Sequence, residues 1–482
     1  MAIWRDNGTL TYWMAHGSDD FPDEDDCTFT LSYQDGGPTL AIFGDTAEAV
    51  AQTAAYFMSL EKSTDQSSRL VIKGCHEFFE FYSAGERCLT RMLVASPSRP
   101  IEFHDVKLSV AQTQAMATSL YPVHLTFNLC IFEDQGTAFV TALEKRKSPI
   151  GSLAFKECDP FDFLNLKRLI KLEHKIEELA LPDLHYEADE AETETEAEKD
   201  IMLCTFAAKV IRLHCEIWTP LLSDIDWGAL HINAEKLSLT LHDGVREPFP
   251  TEPVLCLLQR LAQLGHFVEL KLSFAFNDYR MRLHDEDLFR TALANKRIPI
   301  SVAGELIRTA LANSNLQVLD LGNLREKPWW DQHVETLLDG LKDHTELLTL
   351  KLEVGNDAFG LDFCYLRRLL SRNRKIKVTN EKGVIYSDGS SIHELYSLNR
   401  FYRGSESLAA KPFSYRLAVG AAAMVECARN KFQRYALLCS NHTDVLYDLI
   451  QFAQEDELYD GGDSLHRTQD ANLERNRKRC RS

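Results

Sequence analysis

The chain has 482 residues, of which 45% are apolar and 26% are charged, and its formal net charge is −19. This length exceeds one compact core of ordinary size unless the chain is a repeat array. The negative charge argues against general nucleic-acid binding, because the phosphate backbone would be repelled. No window of about 18 apolar residues occurs, so we expect neither a transmembrane span nor a membrane partner.

The cellular compartment is indicated by the cysteines and the two ends of the sequence. The twelve cysteines are scattered without a C-x-x-C pair, which favours a reducing, intracellular environment. The first residues lack the basic start and apolar run of a signal peptide, so we expect none. We therefore predict a cytoplasmic protein. The basic run Arg475–Arg481 makes nuclear import the alternative.

Residues 1–65 are predicted to form an N-terminal cap. Thr28–Tyr33 and Thr39–Phe43 alternate apolar and polar residues around an Asp-Gly-Gly-Pro sequence, which predicts a β-hairpin. Ala47–Leu60 has the pattern of a helix. A repeat array must cover the apolar face of its end unit, and this segment is suited to that role.

Residues 66–180 contain a motif that recurs at the start of predicted strands. Leu70, Ile101, Leu125 and Leu153 follow one another at steps of 31, 24 and 28 residues. Three of the four open an L-x-L-x-x-C frame, of which Leu125–Phe132 is the most complete. In such a strand the alternate apolar side chains point inward, and the residues between them point outward.

Residues 181–200 interrupt this pattern, because Asp183–Asp200 carries nine acidic residues and few large apolar ones. Such a run buries too little surface to offset its ordering entropy, so we predict a disordered insertion. A recognition segment for a basic partner is the alternative. Residues 201–380 form the second predicted block. It begins with an apolar helix pattern at Ile201–Trp218, and its strands open near Leu237, Leu270, Leu319, Leu350 and Ile376.

The repeats stop at about residue 381. Helical patterns from Ile392 onward predict a C-terminal helical cap over 381–465, and 466–482 is predicted to be a flexible basic tail.

The steps, the L-x-L-x-x-C frames and the alternation of strand and helix resemble the leucine-rich-repeat superfamily, in its ribonuclease-inhibitor-like class. Leu395–Arg403 and Asn430–Leu438 are similar to the C-terminal region of a large set of algal repeat proteins. The resemblance implies an α/β solenoid shaped as a horseshoe, with parallel strands on its concave face and helices on its convex face. It also implies a non-catalytic scaffold that binds a partner protein on the concave face.

Catalytic motifs are not found in the sequence. The phosphate-binding, dinucleotide-binding, serine-hydrolase and zinc-protease patterns do not occur, so we expect no enzyme activity, no cofactor and no metal. His76–Glu80 comes nearest to a zinc-binding helix but ends in Glu. Two alternatives stay open, namely an enzyme in the C-terminal helical region and a ubiquitin-ligase adaptor without a recognisable F-box.

The partner-binding residues are predicted from the outward positions of the best-aligned strands. They are Glu102, His104, Thr126, Asn128, Lys156, Ser238, Thr240, Lys271, Ser273, Asp320, Thr349, Lys351 and Glu353. Trp329 and Trp330 form a further candidate. They either pack on the helix that follows, with Asp331 as its N-cap, or form an exposed aromatic anchor, since Trp is enriched in binding hot spots.

Overall fold

The computed structural model of the chain is an α/β structure built on one large, mostly parallel sheet that is open at both edges and so not a barrel. Two compact units are found: Met1–Leu369 with Ile376–Tyr386, and Leu370–Lys375 with Ser387–Ser482. The structure describes residues 2–14, 28–33, 39–60, 69–74, 79–95, 99–157, 160–183, 192–223, 225–243, 249–276, 297–322, 330–397 and 399–400.

The N-terminal strands pair antiparallel in the order β1-β2-β4-β3. Their bounds are β1 Ala2–Trp4, β2 Leu10–Met14, β3 Phe29–Tyr33 and β4 Thr39–Phe43. β3 pairs directly with β4, which confirms the predicted hairpin. Helix α1, Ala47–Leu60, follows as predicted.

Among the described residues, the strands from the fifth onward pair with one another in parallel; β3 with β5, and the isolated bridge of Thr379 with Ile385, are antiparallel. The bounds are β5 Leu70–Gly74, β6 Phe79–Glu80, β7 Pro100–His104, β8 Val106–Leu108, β9 Val123–Asn128, β10 Ile131–Phe132, β11 Gly151–Lys156, β12 Glu178–Asp183, β13 Arg212–Trp218, β14 Lys236–Asp243, β15 Glu269–Phe276, β16 Val318–Leu321, β17 Thr349–Leu352 and β18 Lys377–Thr379. Among the described residues, fifteen strands form the large sheet, in the order β1-β2-β4-β3-β5-β7-β9-β11-β12-β13-β14-β15-β16-β17-β18. β10, β8 and β6 form a second, parallel sheet.

Helices connect many of the parallel strands and cover one face of the sheet. They are α2 Gly85–Ala95, α3 Val110–Ala117, α4 Thr137–Lys145, α5 Phe163–Ile170, α6 Glu192–Phe206, α7 Thr251–Leu264, α8 Ile300–Ala312, α9 Val334–Leu341 and α10 Cys364–Arg372. The Phe139 ring of α4 lies edge-on to the Phe127 ring of β9, with centroids 6.2 Å apart. In the second unit, residues 391–397 and 399–400 are helical, which agrees with the pattern that begins at Ile392, and the later C-terminal patterns lie outside the described residues.

The register aligns one buried apolar residue from each parallel strand into a row across the sheet. Its members are all at most 2% exposed, and they are Leu70, Ile101, Leu125, Leu153, Leu179, Leu213, Leu237, Leu270, Leu319, Leu350 and Val378. Alternation along a strand places the second apolar residue of each frame on the same face. Phe127 and Leu352 are accordingly 0% exposed.

Two sequence predictions between the blocks are wrong. The Ile201–Trp218 segment is not one helix, because α6 ends at Phe206 and β13 begins at Arg212. The acidic insertion is shorter than residues 181–200, since β12 extends to Asp183 and α6 begins at Glu192. β12 and β13 pair with β11 and β14 on either side. The two predicted blocks therefore belong to one continuous sheet.

Candidate functional site

The candidate site is the face of the large sheet opposite its buried rows, which we call the outward face. Register places Glu102, Thr126, Ser238, Lys271, Asp320 and Lys351 in one row, together with Val71, Ala154, Ala180, His214 and Thr379. His104, Asn128 and Lys156 share a row on β7, β9 and β11, and Thr240 pairs with Ser273 on β14 and β15. Thr349 lies two residues before Lys351, in the next outward row toward the N-terminal ends of the strands, and Glu353 directly follows β17. Glu102, Ser273 and Asp320 are buried, Lys156 is exposed, and the other predicted residues are half-buried.

At the N-terminal end of this face, one covered carboxylate is shared by two cations. Glu102 lies 2.9 Å from Arg69 Nη1 and 3.3 Å from Lys156 Nζ. The Glu102 side chain is 9% exposed, whereas those of Arg69 and Lys156 are 42% and 49% exposed. His104 Nδ1 lies 2.6 Å from Asp105 Oδ2. The cations are therefore the accessible members of this cluster.

In the middle of the face, four charged residues of alternating sign form a chain across β12 to β15. Arg212 lies 3.5 Å from Glu178 and 3.3 Å from Glu269, and Lys236 Nζ lies 2.7 Å from Glu269. Their side chains are 30–42% exposed, so each pair alone contributes little to stability. The four side chains therefore form one stripe of alternating charge on the sheet surface.

A polar cluster missed by the sequence prediction lies beside this chain of charges. The Glu216 carboxylate lies 3.0 Å from His242 Nε2 and 3.8 Å from His214 Nε2. The other ring nitrogen of His214, Nδ1, lies 2.7 Å from Ser238 Oγ. Burial acts to raise the pKa of Glu216, but the hydrogen bonds and charges of the two histidines outweigh it and hold the pKa at about 2. The alternation of Leu213, Cys215 and Ile217 is the signal that would have placed His214 and Glu216 outward.

The Glu216 cluster predicts a pH dependence of stability. Because the pKa of Glu216 in the folded state lies below its ordinary value of 4.5, the ionised carboxylate stabilises the fold above that pH, and this contribution is lost as the pH falls toward about 2. We expect the melting temperature of the wild type to fall more steeply over this range than that of Glu216→Gln. Thermal melts across the range test this, with Glu252→Gln on the exposed side of α7 as control. Parallel curves for wild type and Glu216→Gln would contradict it.

At the C-terminal end of the face, Asp320 is the centre of a third cluster. Its carboxylate lies 3.1 Å from Lys351 Nζ and accepts the Gly322 N–H at 3.0 Å. Ser273 donates to the Gly322 carbonyl at 3.0 Å, and Glu353 accepts the Glu381 N–H at 3.3 Å. Burial raises the pKa of the Glu381 carboxyl; the charge of Lys271 opposes this increase, and the charge of Glu353 adds to it. The sequence prediction missed Glu381 because it follows the last strand and belongs to no repeat frame.

Of the two candidate tryptophans, Trp330 is not an exposed aromatic anchor, because its side chain is only 3% exposed. Its ring centroid lies 6.4 Å from those of Phe274 and His333, so it packs in the core. Trp329 lies outside the described residues. Asp331 does not cap the next helix, because its carboxylate accepts the Gly355 N–H at 3.0 Å, and α9 has His333 at its N-cap position.

The chemistry available on the outward face is that of hydrogen bonds, ion pairs and aromatic contacts. Within the described ranges, no group of three or more His, Cys, Asp and Glu side chains is arranged to hold a metal ion. Of the helices in those ranges, none combines the length and apolar character needed to cross a membrane. Scanning the chain against protein-family models and searching curated proteins both give no match.

Proposed function

We propose that the protein is a leucine-rich-repeat solenoid that binds another protein on the outward face of its sheet, without catalysing a reaction. In this proposal the outward face is the concave face of a horseshoe, and the helices lie on the convex side. The proposed compartment is the cytoplasm, with nuclear entry through the basic C-terminal run as the alternative.

The main support for the proposal is that polar side chains align in rows across many parallel strands. Each strand contributes alternate residues to these rows, so one surface of the sheet presents charges of both signs and neutral donors and acceptors. Mixed charge gives specificity for a protein of complementary pattern. A nucleic acid would instead need an excess of cations to neutralise its phosphates.

Repeat geometry supports the leucine-rich-repeat assignment. Aligned residues of the buried row follow one another at 24–34 residues, except for the 49-residue step from Leu270 to Leu319. The chain turns through positive φ at Asp105, Leu129 and Glu157, the residue directly after three of the strands. Cys130 Sγ lies 3.3 Å from the Phe103 carbonyl of the preceding strand. A small residue at this bend thus contacts the neighbouring unit, as the L-x-L-x-x-C frame requires.

Charge reversal on the outward face tests the proposal. Lys271→Glu with Glu353→Lys leaves the net charge unchanged and retains the ion pair of Asp320 with Lys351. We expect this double variant to recover about tenfold less partner in a quantitative pull-down, because complementary charges become repulsive. The triple variant that also carries Lys351→Glu should lose at least as much.

The matched control reverses one cation and one anion on the helix-covered side, as Lys145→Glu with Glu252→Lys. Both residues are exposed, and the net charge is again unchanged. Thermal melts confirm that each variant is folded. Equal partner recovery from the outward-face variant and the control would contradict the proposal.

A further inference from the structure

The outward face changes character at the N-terminal strands, where it is aromatic instead of polar. Register places Trp4 beside Leu10 and Leu10 beside Phe43. Trp4 is 68% exposed, and Leu10, Tyr12 and Phe43 are half-buried. The rings of Tyr12 and Phe43 meet edge to face, with centroids 5.6 Å apart. These four residues form what we call the aromatic patch.

Cations follow the aromatic patch along the same face of the sheet. One row perpendicular to the strands contains Ala2, Tyr12, Ala41, Thr30, Lys73, His104, Asn128 and Lys156. Arg69 lies just before β5 and shares Glu102 with Lys156. We call Arg69, Lys73 and Lys156 the basic cluster. Three anions lie on the neighbouring strands or directly after them. Glu102 is covered, Asp105 contacts His104, and Glu157 is exposed directly after β11.

An unsatisfied acceptor lies within the same row. Among the described residues, Asn128 Oδ1 is buried and has no hydrogen-bond partner. A buried acceptor of this kind costs free energy until a donor reaches it. This oxygen has almost no accessible surface, so a backbone N–H of a segment lying across β9 would reach it only after the half-buried Asn128 side chain rotates outward.

We infer that the aromatic patch and the basic cluster together bind an acidic amphipathic segment of a partner protein. The inference rests on the proposed function and names the chemistry of the partner. An apolar side chain packs on Trp4 and its neighbours, and carboxylates pair with the exposed cations. Aromatic residues and Arg are enriched at such interfaces.

The spacing of the two parts constrains the segment. Tyr12 and Lys73 are three strand positions apart in the sheet order, which is about 14 Å at the usual strand spacing. An extended segment covers this distance in about 4 residues, and a helical one needs about 9. Lys156 lies three positions further on, so acidic residues can continue beyond the first contact.

A protein segment fits these observations better than an anionic membrane. Clusters that bind anionic lipids usually contain about 4–8 Lys or Arg residues, whereas the basic cluster has three. The net charge of −19 would also repel a large anionic surface, but it acts less on a short segment held at one cluster.

Selection of peptides from a random library tests the inference. The full chain is immobilised and panned with a phage library of random dodecapeptides. We expect enriched sequences to combine a large apolar residue with an excess of Asp and Glu. Synthetic versions are then titrated by fluorescence anisotropy, together with versions in which Gln replaces Glu and Asn replaces Asp.

Two variants of the basic cluster and the aromatic patch measure the contribution of each part. Lys73→Glu with Lys156→Glu, and separately Trp4→Ser, should each weaken peptide binding about tenfold or more. Matched controls are Lys145→Glu with Lys147→Glu, and Leu164→Ser, all at exposed positions of the helix-covered side. The controls should stay within about a factor of two of the wild type.

Each other outcome overturns the inference. Enriched peptides without acidic residues, or equal affinity for the basic-cluster variant and its control, would do so. Two other results would also overturn the inference: a dimer of the chain that is lost in the Lys73→Glu, Lys156→Glu variant, or binding to vesicles of phosphatidylcholine and phosphatidylserine that is lost in the same variant. Peptides that depend on Lys271 and Glu353 but not on the basic cluster would end the inference and leave the proposed function standing. Peptides that depend on neither set would contradict both.

Discussion

Replacing Phe127 by alanine is expected to lower the free energy of unfolding by about 3–5 kcal/mol, the range for a buried phenylalanine. Phe127 is 0% exposed and lies at the centre of an aromatic cluster. Its ring stacks between those of Phe103 and Phe155, with centroids 5.6 and 5.5 Å away. It also lies edge-on to Phe132 at 5.0 Å. The substitution therefore removes contacts to the strands on both sides and leaves a cavity beneath the sheet.

Urea denaturation of both proteins measures this loss. The matched control is Phe163→Ala on α5, where the ring is 42% exposed and lies under the Lys167 ammonium. That change should cost less than about 1 kcal/mol, as expected for a partly exposed ring. Similar losses for the two variants would mean that the Phe127 cluster does not hold neighbouring strands together.

Replacing Arg146 by alanine is expected to cost about 3–5 kcal/mol, because a buried charged donor serves several backbone acceptors that would lose their partner together. Arg146 is 8% exposed, and burial lowers the pKa of its guanidinium. The acceptors are the carbonyl oxygens of Ala117, Ser119, Tyr121, Ser148 and Pro149. The side chain therefore ties the turn after α3 to the turn after α4.

The geometry of the guanidinium decides the result for the conservative variant. Arg146→Lys keeps the charge but cannot reach several carbonyls at once, so we expect an intermediate loss of about 1–3 kcal/mol. Lys147→Ala, at the exposed neighbour, should stay within about 0.5 kcal/mol of the wild type. Thermal and urea unfolding of the three variants test this order. A loss for Arg146→Ala no larger than that for Lys147→Ala would show that these bonds are replaced by water.

The strands of the fold could be predicted wherever the apolar residues alternate. Leu125 and Phe127, and Leu350 and Leu352, have period two, and all four are buried as predicted. The sequence pattern does not predict β13, because the apolar residues of α6 precede it closely and extend a helical pattern across the boundary. Of the helix, Ile201, Met202 and Phe206 are buried. Leu213, Cys215 and Ile217 already had the period of a strand.

The disorder predicted for the acidic run is wrong for a different reason. Few apolar residues and many charges suggested disorder, but Glu and Ala favour helix, and the last turns of α6 anchor it to the core. Propensity and packing at one end were enough to extend the helix back to Glu192.

The outward positions of the candidate site could be predicted from alternation, but their partners could not. Glu102 contacts Arg69 and Lys156, which are 33 and 54 residues away in sequence. Such a cluster depends on the register of four strands and on crossover lengths that vary along the chain. Burial of Glu102 and Asp320 follows from these pairings and is not visible in the strand pattern.

Binding on the outward face is tested most directly by photo-cross-linking of the partner that is recovered in the pull-down. A benzophenone amino acid is placed at Thr126 or Thr240 on the outward face, or at Gln114 on the exposed side of α3. Binding on the outward face predicts a cross-linked partner from Thr126 or Thr240, competed away by unlabelled protein, and none from Gln114. Cross-linking from Gln114 in similar yield, or from Gln114 alone, would contradict it.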